Sequence, residues 1–333
     1  RELGIERPIY ALQASGIAIA FMLGSAPIVA HAEDAPSATA STAATETPWG
    51  HPVNDLTPDA AVRYGVLPNG MKYAIQKNTT PKDGGSVRMR IGVGSIAEAD
   101  NERGIAHLLE HMAFNGSTNV PEGEMVKMLE RLGLAFGADT NATTKFDETV
   151  YMLELPRNDE ALVDSALMLM RETASELTIS QGAVDRERGV VLFERQTRNS
   201  PGLRQFEQQM QTLMPQTPFG SRLPIGTEEA LKTVSAGTIR SFYRRYYRPE
   251  NAALVLVGDF DVGAVEAKIK SRFADWKGKG DAGTAMDRGK IDPAKPFEIS
   301  NFVDPAIPVQ AILYRIQPYV AQQDSNATRQ QEI

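Results

Sequence analysis

The chain has 333 residues, 42% hydrophobic and 23% charged, with a net charge of −7 spread over interspersed acids and bases. That is core material for more than one ordinary domain, and the charge balance argues against a nucleic-acid partner or an anionic membrane surface. Cysteine is absent, which excludes disulfides, thiolate zinc sites and cysteine nucleophiles, so any metal must be held by His, Asp or Glu.

Residues 16–30, GIAIAFMLGSAPIVA, are an apolar run ending at Ala30-His31-Ala32, an A-x-A cleavage pattern. The run is short for a membrane span and is broken by Gly24 and Pro27. Residues 1–32 therefore read as an export signal, although Glu2 and Glu6 offset Arg1 and Arg7 in its basic start. No stable membrane span is expected after cleavage; an uncleaved anchor or a buried helix is the alternative. No cysteine follows the run, so a lipoprotein anchor is excluded, and cysteine-free export suits a bacterial periplasm better than a disulfide-rich setting. Residues 33–59, small, polar and rich in Pro, Ala and Thr, read as a flexible linker.

An ordered domain is expected over 60–277. VRYGVLPNGMKYAIQKN is two strand-like runs around Asn69-Gly70, a hairpin signal. A strand is expected over 86–95, a helix over 104–114, and a second helix over 122–133 that stops at Gly133. Residues 142–156 read as one strand ended by Pro156, and 158–177 as a helix by apolar spacing. Ser180 is placed to cap the next helix, which carries VDRERGVVLFERQTR. A helix over 236–247, a buried strand over 251–260 and a helix over 263–276 complete the domain. Strands and helices intermingle throughout, which reads as an α+β or α/β layered fold. Residues 278–296, rich in Gly, Pro and charge, read as an interdomain linker, and 309–317 as a strand opening a second domain over 297–333. The chain starts at Arg1 rather than methionine and reads as an N-terminal piece of a longer product.

The chain holds four histidines, and two of them fall within GIAHLLEHMAFNG (104–116). On a helix His107, Glu110 and His111 share one face, and Ile105, Leu108, Leu109 and Met112 take the other. Imidazoles at i and i+4 can reach one zinc ion, and Glu110 is placed to touch a metal-bound water. This is H-x-x-E-H, the reverse of H-E-x-x-H. A catalytic zinc usually has three protein ligands. His31 lies in the signal and His51 in the linker, so the third ligand should be a carboxylate. ERGVVLFE (187–194) offers Glu187 and Glu194 on one helical stripe with Val184, Val190 and Val191. A glutamate among valines is costly to bury unless paired or bound to metal. The plainer alternative is that one or both merely pair with Arg186, Arg188 or Arg198.

These two motifs resemble the signatures of the insulinase/pitrilysin family of zinc metallopeptidases, the inverzincins. LPNGMKYAI, ADTNATTKFDETVY, LPIGTEEAL and YYRPENAALVLVGDFD are similar too, so the resemblance spans roughly residues 62–277. It implies an α+β domain of the mitochondrial-processing-peptidase type, a layered mixed or antiparallel sheet packed with helices. It implies one Zn2+ per catalytic domain on His107, His111 and Glu194, with Glu110 as general base and Glu187 supporting the site. It matches Asn141 to an asparagine on an edge strand where a peptide substrate adds as a further strand. Glu194 lies 83 positions after His111, longer than the family's common interval, which a short insertion would explain.

The reading is an exported, periplasmic zinc endopeptidase acting on peptides or small unfolded proteins. Family enzymes enclose substrate between two halves, so a second half of the same chain or a homologous subunit is expected as partner. The alternatives are a non-catalytic partner subunit, a zinc-binding protein without hydrolysis, and a different zinc hydrolase such as an amidase or esterase.

Overall fold

The computed structural model describes residues 49, 55–135, 137–292, 294, 296–314 and 325–331. The expected export signal, nearly all of the expected linker before residue 55, and both His31 and His51 lie outside them.

Among the described residues one sheet forms from β1 (Val62–Val66), β2 (Lys72–Lys77), β3 (Gly85–Ile91), β4 (Thr140–Thr144), β5 (Thr149–Leu155) and β6 (Ala252–Gly258). The strand order is β1-β2-β6-β3-β5-β4. β6 runs parallel to β2, and every other pair is antiparallel. The sheet is thus mixed and the fold α+β. The β1–β2 hairpin turns at Asn69-Gly70, with Gly70 at φ 90°, a conformation glycine adopts without strain. Asn69 also donates to the carbonyls of Phe273 and Trp276, at 2.7 and 3.0 Å. One residue therefore shapes the turn and satisfies carbonyls at the end of a helix.

The helices are α1 (Ile105–Met112), α2 (Glu124–Arg131), α3 (Glu160–Ser175), α4 (Gln181–Arg198), α5 (Pro201–Leu213), α6 (Glu228–Thr233), α7 (Ala236–Tyr246), α8 (Val262–Phe273) and the short α9 (Asn326–Gln331). Asp159, Ser180, Ser200, Thr227, Ser235 and Asp261 each accept a backbone N–H of the first turn they precede, the usual N-cap bond. In β3, β4, β5 and β6 the residues alternate in burial. Val87, Met89 and Ile91 of β3, Tyr151, Leu153 and Leu155 of β5, and Leu254 and Leu256 of β6 are buried on the helix side. Helices α1, α3 and α8 cover that side.

Four expectations need correcting. Residues 142–156 are two strands, not one: Lys145–Glu148 reverses the chain, with Lys145 N–H on the Glu148 carbonyl at 2.8 Å and Thr144 facing Thr149 across the ladder. Phe146 gave that turn the look of a strand residue, but it leaves the ladder to meet the Phe219 ring, centroids 5.1 Å apart. The strand expected over 86–95 ends at Ile91, because a 3-10 turn begins at Ser95. Helices α5 and α6 were not expected; Ser200-Pro201 and Thr227 are their start signals. Residues 309–314 form no strand. Val309 and Leu313 are exposed, and apolar alternation makes a strand only where a sheet edge supplies hydrogen bonds and burial. Residues 315–317 lie outside the described set.

The start of α1 is fixed by a contact between two glycines. Gly104, its N-cap, has φ 95°, and Gly226 has φ 73°. A Cβ on Gly226 would stand 2.4 Å from the Gly104 Cα and 2.6 Å from the Arg103 carbonyl oxygen. Gly226→Ala is expected to destabilise the protein by about 1–3 kcal/mol through backbone strain, with the clash adding to it. A thermal or denaturant midpoint equal to wild type would refute this.

Candidate metal centre

Helix α1 is held at its N-terminus by a carboxylate from outside it. Glu98 accepts the N–H of Gly104 through Oε2 and that of Ala106 through Oε1, each at 2.9 Å. Free N–H groups and the helix dipole favour an acidic side chain there. Burial pushes the Glu98 carboxyl up to about 8, against the pull of those two N–H groups and of Arg222. Arg222 also ties the segment down, donating to the Glu98 carbonyl at 3.0 Å and to Asp100 at 2.8 Å.

Ile105, Leu108, Leu109 and Met112 enter the core as their spacing requires. The opposite face is not the open polar face that amphipathicity suggests. His107 and Glu110 are buried as well, because α4 and β4 pack over them.

The helices α1 and α4 bring together five of the six residues singled out in the sequence. The Nε2 atoms of His107 and His111 stand 3.6 and 3.5 Å from Oε2 of Glu194. These three side chains can each offer a ligand atom within 4.8 Å of the others. Glu187, two turns before Glu194, meets the other ring nitrogen of His111, with Oε2 3.0 Å from Nδ1. Glu110 lies against the last residue of β4, where Thr144 Oγ1 donates to its Oε2. Asn141 stands apart from the cluster, on β4 at the sheet edge, paired across the ladder with Met152.

The donor set fits zinc. Ligands at about 2.0–2.2 Å in a tetrahedron lie roughly 3.4 Å from one another, close to the two distances to Glu194 Oε2. Burial, with His111 beside it, lowers His107 to about 3, so its imidazole is neutral and its lone pair is available. Burial also works to lower His111, but Glu187 and Glu194 outweigh it and raise the group to about 9. The carboxylates therefore stabilise positive charge at this point. Burial likewise opposes ionisation of Glu194, yet His111, His107 and Arg198 hold its carboxyl below the usual range. Burial raises the Glu110 carboxyl, against the Thr144 hydrogen bond. A carboxylate moved toward neutrality is a better proton acceptor at working pH.

Three residues that hold this site, Asn115, Thr144 and Glu98, were not singled out in the sequence, and a fourth, Arg198, was named only as a plain ion-pair partner of the glutamates. Asn115, inside the quoted motif, donates to Glu187 Oε1 at 2.9 Å and to the His111 carbonyl at 3.0 Å. Thr144 touches Glu110, Glu98 caps α1, and Arg198 pairs with Glu194 at 2.5 Å. Arg198 was legible as an i, i+4 partner; the other three act across intervals that carry no periodic signal. Of the remaining arginines weighed as partners, Arg186 pairs with Glu122 and Arg188 with Asp185, so of that alternative the Glu194–Arg198 pair forms among the described residues, while Glu187 meets His111.

Two family models match the chain. One is described as insulinase, peptidase family M16, over residues 73–223, and the other as peptidase M16 inactive domain over residues 233–328. A probable zinc protease PqqL of Haemophilus influenzae is 40% identical over 223 residues, 67% of this chain and 24% of that protein. The Escherichia coli protein of the same description is 32% identical over 261 residues, 78% of this chain and 28% of that one. The crystal structure of the first half of the periplasmic protease PqqL from Escherichia coli matches with a TM-score of 0.67 at 31% identity, covering 75% of this chain and 51% of that one. The chain spans about a quarter of the length of these two curated relatives.

Removing the cap on α1 tests how the site is supported. Glu98→Ala leaves the Gly104 and Ala106 N–H groups buried without partners and is expected to cost about 1–3 kcal/mol. Chemical denaturation measures it; a variant as stable as wild type would show that the cap is dispensable.

Proposed function

The chain belongs to the insulinase family, peptidase family M16, and on that premise we propose that it carries the catalytic domain of a zinc-dependent endopeptidase. One observation carries the reading: two neutral-capable imidazoles and a carboxylate converge within 4.8 Å, with a further buried carboxylate, Glu110, on the same helix as the imidazoles. His107, His111 and Glu194 hold the metal. When bound, zinc supplies Lewis acidity toward a peptide carbonyl and makes an attacking water acidic near neutral pH.

The chain's own residues do the rest. Glu110 accepts the proton of the attacking water and passes it to the leaving amine nitrogen. Thr144 holds one oxygen of Glu110, which leaves the other free for that exchange. Glu187, itself held by Asn115, fixes the His111 ring so that Nε2 faces Glu194. The edge strand β4 receives an extended peptide as a further strand, and Asn141 on that strand contacts its backbone. Recognition through backbone hydrogen bonds favours peptides and small unfolded proteins over folded ones.

We read the organisation as an export signal over 1–32, a linker over 33–59, the catalytic domain over 60–277, a linker over 278–296 and the start of a related domain over 297–333. The second half of a longer chain, or a homologous subunit, completes the substrate chamber. A periplasmic site of action is supported by the description of the Escherichia coli relative as a periplasmic protease. Among the described residues no helix is long and apolar enough to cross a membrane.

The test is hydrolysis of a mixed set of unstructured peptides by the intact protein, wild type against Glu110→Gln, with bound zinc measured on both. Zinc in both, with turnover lowered at least about 100-fold in the variant, is expected from the loss of a general base. Zinc in both with cleavage in neither would replace the proposal with a partner or binding role. His107→Ala and Glu194→Gln are expected to lose zinc. If Glu187→Gln lost zinc and Glu194→Gln retained it, the ligand assignment would be wrong.

A further inference from the structure

We infer that Arg198 is the positioning residue of the third metal ligand, fixing the plane of the Glu194 carboxylate so that Oε2 alone faces the two histidines. The inference rests on the zinc-site reading above. The two oxygens of Glu194 have separate partners. Oε2 lies 3.6 and 3.5 Å from the histidine Nε2 atoms, and Oε1 accepts from Arg198 Nη2 at 2.5 Å. Arg198 stands one turn further along α4, in its last turn, where the helix dipole favours a cation.

The two glutamates of α4 are held differently. Glu187 is gripped from α1, by His111 Nδ1 and Asn115 Nδ2. Among the described residues, the Glu194 side chain has ion-pair contacts with the two histidines and with Arg198. Once Oε2 is committed to a metal, the terminal torsion of Glu194 stays free to swing unless Oε1 is also held. A planar guanidinium with several donors sets that torsion better than an ammonium.

The bland reading is a surface i, i+4 pair that contributes little. It accounts poorly for the exposures: the Glu194 side chain is 17% exposed and that of Arg198 38%, so the pair sits at the wall of the site. Two effects of Arg198 on the metal oppose each other. Its charge repels a cation, and its hydrogen bond orients the ligand. Oε1 largely neutralises the charge locally, and removing the outer partner of a metal ligand typically weakens metal binding 10–100-fold. Orientation should therefore win.

The experiment is a zinc competition titration against a chelator of known affinity, on metal-free intact protein. Wild type is compared with Arg198→Met, Arg198→Gln and Arg198→Lys, and the thermal midpoint of each metal-free protein is recorded. About 10–100-fold weaker zinc binding is expected in the Met and Gln variants, a smaller loss in the Lys variant, and similar metal-free midpoints throughout. Unchanged or tighter zinc binding in both Met and Gln variants would overturn the inference, as would a fall in midpoint with unchanged affinity. Failure of wild type itself to bind zinc would instead overturn the site reading on which the inference stands.

Discussion

A short helix that is buried on nearly all sides and carries two imidazoles and a carboxylate loses stability for every polar group it removes from water without a partner. Much else in the domain follows from that constraint on α1. Helix α4 lies over it, and of its two glutamates, two turns apart, Glu187 meets His111 and Glu194 meets both histidines. The β4–β5 hairpin ends where it does because Thr144 answers Glu110. The loop before α1 supplies Glu98 to the two N–H groups at the helix start. These groups come from three separate stretches of chain, and α1 is where they meet.

The arrangement also separates two jobs within one small volume. His107 is made a neutral donor by burial, whereas His111 sits between two carboxylates that favour positive charge. One imidazole is poor in compensating partners and the other rich in them. Among the described residues Nδ1 of His107 is buried without a hydrogen-bond partner, while Nδ1 of His111 is held by Glu187. Hydrogen bonding at Nδ1 therefore helps orient the second ring, whereas the first depends on packing and on its Nε2 contact with Glu194.

What could be read from the sequence was what repeats or punctuates. The 3.6-residue spacing of α1 and α4, the Ser180 cap and the Asn69-Gly70 turn are local, and each is present where it was expected. The Lys145–Glu148 reversal was not legible, because a phenylalanine within a β-branched run looks like more strand until its ring is seen against Phe219. The burial of the polar face of α1 was also hidden, since amphipathicity reports only which side is apolar and not what covers the other. Asn115 to Glu187 and Glu98 to Ala106 join distant or irregular positions. No period in the sequence announces such pairs.

The place of β6 has a consequence for how the chain assembles. Four strands of the sheet form local antiparallel pairs, β1 with β2 and β4 with β5, and β3 joins the latter. The strand between those two groups is the last in chain order, and it seats against β2 in parallel and β3 in antiparallel register. Until residues 252–258 arrive, the two groups have facing unsatisfied edges and no ladder between them. Loop closure over so long an interval is slow compared with hairpin formation. The native sheet thus has a keystone: the helices that carry the candidate metal ligands come earlier along the chain than the strand that joins the two halves of the sheet.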